Sequence, residues 1–136
     1  MLTDQRFPER QRCMNKRETG KEKEQAACQW LEDHGCTILE KNYHAGRYGE
    51  IDIIAMDEGI LAFVEVKYRS GDACGDPFEA VDHRKMQRIS RVADRYLAEH
   101  GLSPDTACRF DVIGMTPEWI RRIPDAFSYV PARIRR

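Results

Sequence analysis

Gly49-Glu50-Ile51-Asp52-Ile53-Ile54-Ala55-Met56-Asp57-Glu58-Gly59-Ile60-Leu61-Ala62-Phe63-Val64-Glu65-Val66-Lys67-Tyr68-Arg69 is the stretch on which the fold turns. Two apolar runs flank Asp57-Glu58-Gly59, whose chemistry suits a tight turn, so the segment reads as a β-hairpin. Alternate residues of a strand share a face. Glu65 and Lys67 therefore project with Leu61 and Phe63, while Val64 and Val66 point to the other side. On the preceding strand Glu50 and Asp52 share a face with Ile54, opposite Ile51 and Ile53. With Glu58-Gly59 as a two-residue turn, Asp57 pairs with Ile60, and counting back sets Asp52 opposite Glu65 and Glu50 opposite Lys67. Most of the pair is apolar on both faces, which argues for a covered sheet in which charges need a reason.

Around the hairpin the pattern is α/β. From about Lys21, Ala26, Ala27, Trp30 and Leu31 fall on one helical side, and Gly35 stands where a left-handed cap belongs. Cys36 to Tyr43 reads as a first strand, and Ser70 to Pro77 as a loop after the hairpin. Met86, Ile89, Val92, Ala93, Tyr96 and Leu97 then recur at helical spacing up to a stop at Gly101. Arg109 to Gly114 is a buried strand, and Trp119 to Ile123 a shorter one ahead of Pro124. The order α-β-β-β-α-β, with an extra C-terminal strand possible, implies a mixed central sheet flanked by helices. The polar residues 1–19 read as a flexible arm, 20–130 as a single domain and 131–136 as a basic tail.

Composition narrows the class. Hydrophobic residues make up 41% and charged residues 33% of 136, as in a soluble globular domain. No apolar run is long enough to span a bilayer and the amino terminus lacks the apolar core of a signal peptide, so a cytoplasmic location with no membrane partner is expected. Five cysteines without a close pair give neither a disulfide framework nor zinc spacing, and four dispersed histidines fall outside any HExxH pattern. Any metal would be bound by oxygen. A net charge of −1 gives no general pull toward phosphate, so nucleic-acid binding requires local clusters of positive charge.

Such a cluster is Arg84, Arg88, Arg91 and Arg95 with the adjacent Lys85, a stripe along the second helix able to follow a phosphate backbone. The opposed acids suggest chemistry. Directly facing carboxylates repel, so something positive should sit between them, and a hard cation, Mg²⁺ or Mn²⁺, suits the set Asp52, Glu65 and Glu50. Lys67 would stand beside the attacking water and the scissile phosphate. Glu24, three residues before Ala27 and seven before Leu31, lies near the apolar side of helix one, where it could hold a second metal or a water. Plainer accounts are a Glu50–Lys67 salt bridge with Asp52 solvated, Glu24 as a first-turn acid favoured by the helix dipole, and a solvated stripe tempered by Asp82, Asp94 and Glu99. Asp111 fits a buried ion pair or a loop anchor.

Gly49-Glu50-Ile51-Asp52-Ile53-Ile54-Ala55, Phe63-Val64-Glu65-Val66-Lys67-Tyr68-Arg69, Pro77-x-Glu79-Ala80-Val81 with Lys85, Ala93-x-x-Tyr96-Leu97 and Arg109-Phe110-Asp111-Val112 resemble the bacterial YraN family from about Gly20 to Phe127. Two positions depart from its pattern: Lys23 replaces a second glycine of helix one, and Tyr68 a small polar residue after the lysine. That family resembles the PD-(D/E)xK, or restriction-endonuclease-like, nucleases and archaeal Holliday-junction resolvases. The resemblance implies that Asp52, Glu65 and Lys67 are the D…ExK set and Glu24 the helix-borne acid. It also implies metal-dependent hydrolysis of DNA phosphodiesters on branched or junction DNA. A four-way junction has two-fold symmetry and needs two cuts, so a homodimer is expected. Two further readings remain open: a nucleic-acid-binding module on the same fold without turnover, and a protein-interaction scaffold.

Overall fold

The computed structural model describes residues 3–5, 16–70 and 81–133. The rest of the expected arm, the loop after Ser70 and the last three residues of the tail lie outside the described residues. The elements are β1 (Thr3–Gln5), α1 (Lys16–Asp33), β2 (Thr37–His44), a 3-10 turn (Gly46–Tyr48), β3 (Glu50–Asp57), β4 (Ile60–Tyr68), α2 (His83–Glu99), β5 (Cys108–Met115) and β6 (Ile120–Phe127). They form one mixed sheet in the order β1-β6-β5-β4-β3-β2 with two helices, the α/β arrangement that the hydrophobic patterning implies.

Glu58 (φ 51°) and Gly59 (φ 82°) both take the left-handed conformation, as a two-residue hairpin turn of the favoured hand requires. The turn fixes the register: Asp57↔Ile60, Met56↔Leu61, Ala55↔Ala62, Ile54↔Phe63 and Ile53↔Val64. β5 runs parallel beside β4, a connection made through α2, and pairs Glu65 with Val112 and Lys67 with Gly114. Glu65 and Lys67 thus sit on an inner strand, with Asp52 on the neighbouring β3.

The two sheet faces are covered by different helices. Ile54, Leu61, Phe63, Phe110 and Val112 bury beneath Ile89, Val92, Ala93, Tyr96 and Leu97 of α2. Ile53, Ala55, Ala62, Val64, Ile113 and Met115 bury beneath Ala27, Cys28, Trp30 and Leu31 of α1. The clusters follow the period-2 alternation of β4, so Glu65 and Lys67 face α2. Both helices stop on a glycine in the left-handed region. Cys36 N–H bonds Leu31 O at 2.9 Å around Gly35, and Leu102 N–H bonds Leu97 O at 2.8 Å around Gly101.

Four expectations need correcting. Ile51 packs in the cluster under α2 rather than with Ile53, because β3 leaves its regular pairing with β4 between them. Residues 3–5, assigned to a flexible arm, form an edge strand paired with β6, and α1 begins at Lys16 rather than near Lys21. The last strand starts at Ile120 and runs on past Pro124 to Phe127. Proline is tolerated there because the ladder shifts register between Phe110↔Phe127 and Val112↔Ile123, and Asp125 (φ 52°) sits in the irregularity with its N–H donated to Asp111 Oδ1 at 2.9 Å.

Asp111, with no exposed surface, is the centre of an ionic cluster at the turn end of the hairpin. Arg109 Nε donates to Asp111 Oδ1 at 2.9 Å, Arg109 also bonds Asp57, and Arg122 Nη2 donates to Asp57 Oδ2 at 3.0 Å. Two cations and two anions, mutually hydrogen-bonded, are the condition under which buried charge is tolerated. The expectation of a buried pair is met and enlarged.

Candidate active site

The site opens where β3 and β4 part. Beyond Ile53↔Val64 the two strands cease to pair, although β3 stays with β2 as far as His44↔Glu50. Val66 N–H is taken up instead by the side chain of Asp52, whose Oδ2 accepts it at 2.8 Å. An aspartate at this position has the reach to replace a backbone acceptor, and so its carboxylate is drawn inward. Burial is the first cause, and the nearby charge of Glu65 the second, that raise Asp52 from its ordinary 3.8 to about 7; the Val66 N–H works the other way. Glu24 and Glu50 push in the same direction as Glu65, more weakly.

Glu65 is 8% exposed and is held by two ammonium groups on one oxygen. Lys85 Nζ lies 2.7 Å and Lys67 Nζ 3.3 Å from Glu65 Oε1. Burial is the main influence lowering the Lys67 pKa, reinforced by Lys85. Burial opposes the charge on Lys85 too, but its closer contact with Glu65 wins and holds it above its ordinary value. Of the two, Lys67 gives up its proton more readily. Asp52, Glu65 and Lys85 line a cleft of about 260 Å³ together with Tyr48, Glu50 and Arg88.

The structure therefore brings together Asp52, Glu65 and Lys67 and adds Lys85, which α2 turns inward instead of toward a phosphate-tracking stripe. Asp52 is partly buried, not solvated, and the Glu50–Lys67 bridge is not made. Glu50 lies at the exposed mouth of the cleft with its Oε2 3.4 Å from His44 Nε2. Glu24 belongs to α1 on the far face of the sheet, and its Oε2 accepts a hydrogen bond from Asn42 at 2.9 Å. The two positions that depart from the YraN pattern meet nearby, with Lys23 Nζ 3.2 Å from the ring centroid of Tyr68.

The stripe divides. Arg84 and Arg88 are exposed and Arg88 reaches the cleft. Arg91 bonds Val130 O and lies 3.3 Å from Asp94, and Arg95 Nε pairs with Glu99 Oε1 at 2.8 Å. With Lys85 on Glu65, three of the five residues expected to bind phosphate are thus engaged within the molecule.

Does this set suit a hard cation? Oxygen donors desolvated next to each other do, and Asp52 is driven toward protonation by its burial and by the charge of Glu65, with no ion pair to it among the described residues like that of Lys85 with Glu65. Against this, among the described residues no group of three or more His, Cys, Asp or Glu side chains converges as a metal site, and Glu65 already carries ammonium partners. Asp52 and Glu65 fit a cation held by two carboxylates, and Glu24 and Glu50 are the further acids whose charge bears on Asp52.

Fold and cleft together define a small mixed-sheet α/β domain with a carboxylate–lysine cluster at the splayed end of a hairpin. Residues 23–115 match the uncharacterised protein family UPF0102, and the chain belongs to that family. It is 46% identical over 115 residues to a UPF0102 protein of Lachnoclostridium phytofermentans, covering 85% of this chain and 97% of the relative. It is 44% identical over 118 residues to one of Chromohalobacter salexigens, covering 82% and 94%. No helix among the described residues is long and apolar enough to cross a membrane.

Proposed function

We propose that the protein is a Mg²⁺- or Mn²⁺-dependent endonuclease of the restriction-endonuclease-like class, acting on DNA phosphodiesters, with branched or junction DNA as its substrate form. The observation that carries this reading is the desolvated Asp52 beside Glu65 in a cleft that also holds Lys85, with Lys67 on the same Glu65 oxygen. Asp52 and Glu65 would hold the cation, which when bound supplies Lewis-acid assistance to phosphodiester hydrolysis. Lys67 Nζ would orient the attacking water and offset the charge that builds up as the new P–O bond forms and the ester P–O bond breaks, the water's proton passing to solvent and solvent protonating the departing oxygen. Lys85, still charged, faces the phosphoryl group and steadies Glu65, while Arg88 neutralises phosphate at the mouth.

The test is incubation of the purified protein with linear, flapped and four-way DNA in Mg²⁺ or Mn²⁺. Cleavage that disappears in Asp52→Asn and Lys67→Ala is expected. No cleavage of any of the three, or cleavage undiminished by those substitutions, overturns the proposal.

The ammonium pair on Glu65 favours a second reading, a nucleic-acid-binding module without turnover, since it balances that acid without a cation. Calorimetric titration of Mn²⁺ separates the two. Heat that is lost in Asp52→Ala supports the enzyme, and no heat in either protein supports the module.

A further inference from the structure

Tyr48 belongs to neither apolar cluster and is 36% exposed. It is nevertheless firmly placed. The turn that carries it is closed by Tyr48 N–H to Ala45 O at 3.1 Å and Ala45 N–H to Gly49 O at 2.9 Å, and the left-handed Gly46 (φ 54°) and Gly49 (φ 106°) allow the chain to reverse on both sides. Arg47 Nη2 donates to its phenol oxygen at 3.4 Å. A large ring carried on a closed turn loses less entropy when something flat lies on it than one on an open loop.

Its position is informative. Tyr48 walls the cleft that contains Asp52, Glu65 and Lys85, and also a neighbouring cavity of about 580 Å³ lined by Gln87, Arg91 and Arg133. On one flank of Tyr48 lie the acids and Lys85 of the cleft, and on the other a primary amide, which offers both a donor and acceptors, and guanidinium groups; Arg47 stands by the ring with its Cζ 5.3 Å from the centroid. An aromatic face, an amide and cations in series are the elements by which proteins hold an unstacked nucleotide.

We propose that Tyr48 is a stacking platform for an unpaired base next to the phosphate in the cleft, with the neighbouring cavity receiving the adjoining nucleotide. This rests on the reading of the cleft as a phosphodiester site and deepens it, because it names the substrate class: single-stranded or splayed DNA rather than continuous duplex. A base still stacked within a duplex has no free face to offer.

The probe is a single-stranded 12-mer carrying one 2-aminopurine, with the matching duplex as control, bound to the cleavage-deficient Asp52→Asn protein. Quenching of 2-aminopurine on binding is expected, with preference for the single strand. Adding Tyr48→Ala should remove the quenching and weaken single-strand binding about tenfold, while Tyr48→Phe keeps both and duplex binding is little changed. Tyr48→Leu serves the same purpose should the alanine variant not fold. Unquenched 2-aminopurine, or equal losses for single strand and duplex, overturns the proposal. If wild type cleaves DNA but Tyr48→Ala leaves its substrate preference unaltered, the stacking role falls and the nuclease reading stands. Quenching without any cleavage by wild type has the opposite consequence.

Discussion

Replacing Asp52 by Asn should stabilise the cation-free protein at neutral pH while abolishing the proposed cleavage. The carboxylate pKa is raised on folding from 3.8 to about 7, burial being the first cause and Glu65 the second. A group that binds its proton more tightly when folded adds stability that is fully present below its unfolded pKa. That stability is lost progressively as the pH rises from near 4 to near 7. At about 1.4 kcal/mol per pH unit, the ionised Asp52 costs the fold at most about 4 kcal/mol at pH 8. Asparagine keeps the shape, its oxygen can still accept from Val66 N–H, and its amide can donate toward Glu65. Urea unfolding in EDTA, followed by tryptophan fluorescence at intervals from pH 4 to pH 8.5, measures the difference. Asp52→Asn is expected to exceed the parent by up to about 4 kcal/mol at pH 8, a rise in Tm on the order of 10 °C, with the gap shrinking below about 1 kcal/mol near pH 4. An Asn variant no more stable than the parent at pH 8, or a gap that does not respond to pH, would refute the reasoning.

Other perturbations separate the roles of neighbouring groups. Lys67→Ala should lower cleavage about a hundredfold or more, whereas Lys85→Met, by freeing Glu65, should tighten Mn²⁺ binding severalfold in a calorimetric titration. Arg84→Ala and Arg88→Ala should weaken DNA binding and flatten its dependence on salt, as read by fluorescence anisotropy. Arg91→Ala should instead cost about 1 to 2 kcal/mol of stability through the lost bond to Val130 O. Asp111→Asn, which leaves Arg109 and Arg122 with less counter-charge in a buried cluster, should lower the urea midpoint by the equivalent of about 3 kcal/mol.

The parts of the fold legible in the sequence are those set by short-range rules. Glu58-Gly59 dictates a turn and the turn dictates the register as far as Ile53↔Val64, but the expected facing of Asp52 with Glu65 and of Glu50 with Lys67 is not made as ladder pairs, because the strands part there and the Asp52 side chain takes up Val66 N–H. The same rules mark Gly35 and Gly101 as helix stops. What escaped depends on how elements meet. Lys85 looked like one more cation of a solvated stripe, because its contact with Glu65 depends on the rotation and height of α2 over the sheet, which no local pattern encodes. The requirement for positive charge beside the acids was legible, but the lysine that meets part of it was not. The spacing of Arg91 on α2 gave no hint that the segment around Val130 folds back onto the helix. Pro124 signalled the end of a strand because only the long-range pairing with β5 creates the irregularity that accommodates it.

The ionic cluster around Asp57 also makes the hairpin a lever. Arg109 and Arg122 rivet its closed end to β5 and β6, and Asp52 stands five residues along β3, about 17 Å away at strand rise. Over such an arm a tilt of roughly 3° at the fulcrum carries the tip through about 1 Å, and a misplacement of that size can cost on the order of a hundredfold in rate. Substitutions at Arg109 or Arg122, remote from any phosphate, would therefore be felt as errors of aim between the jaws.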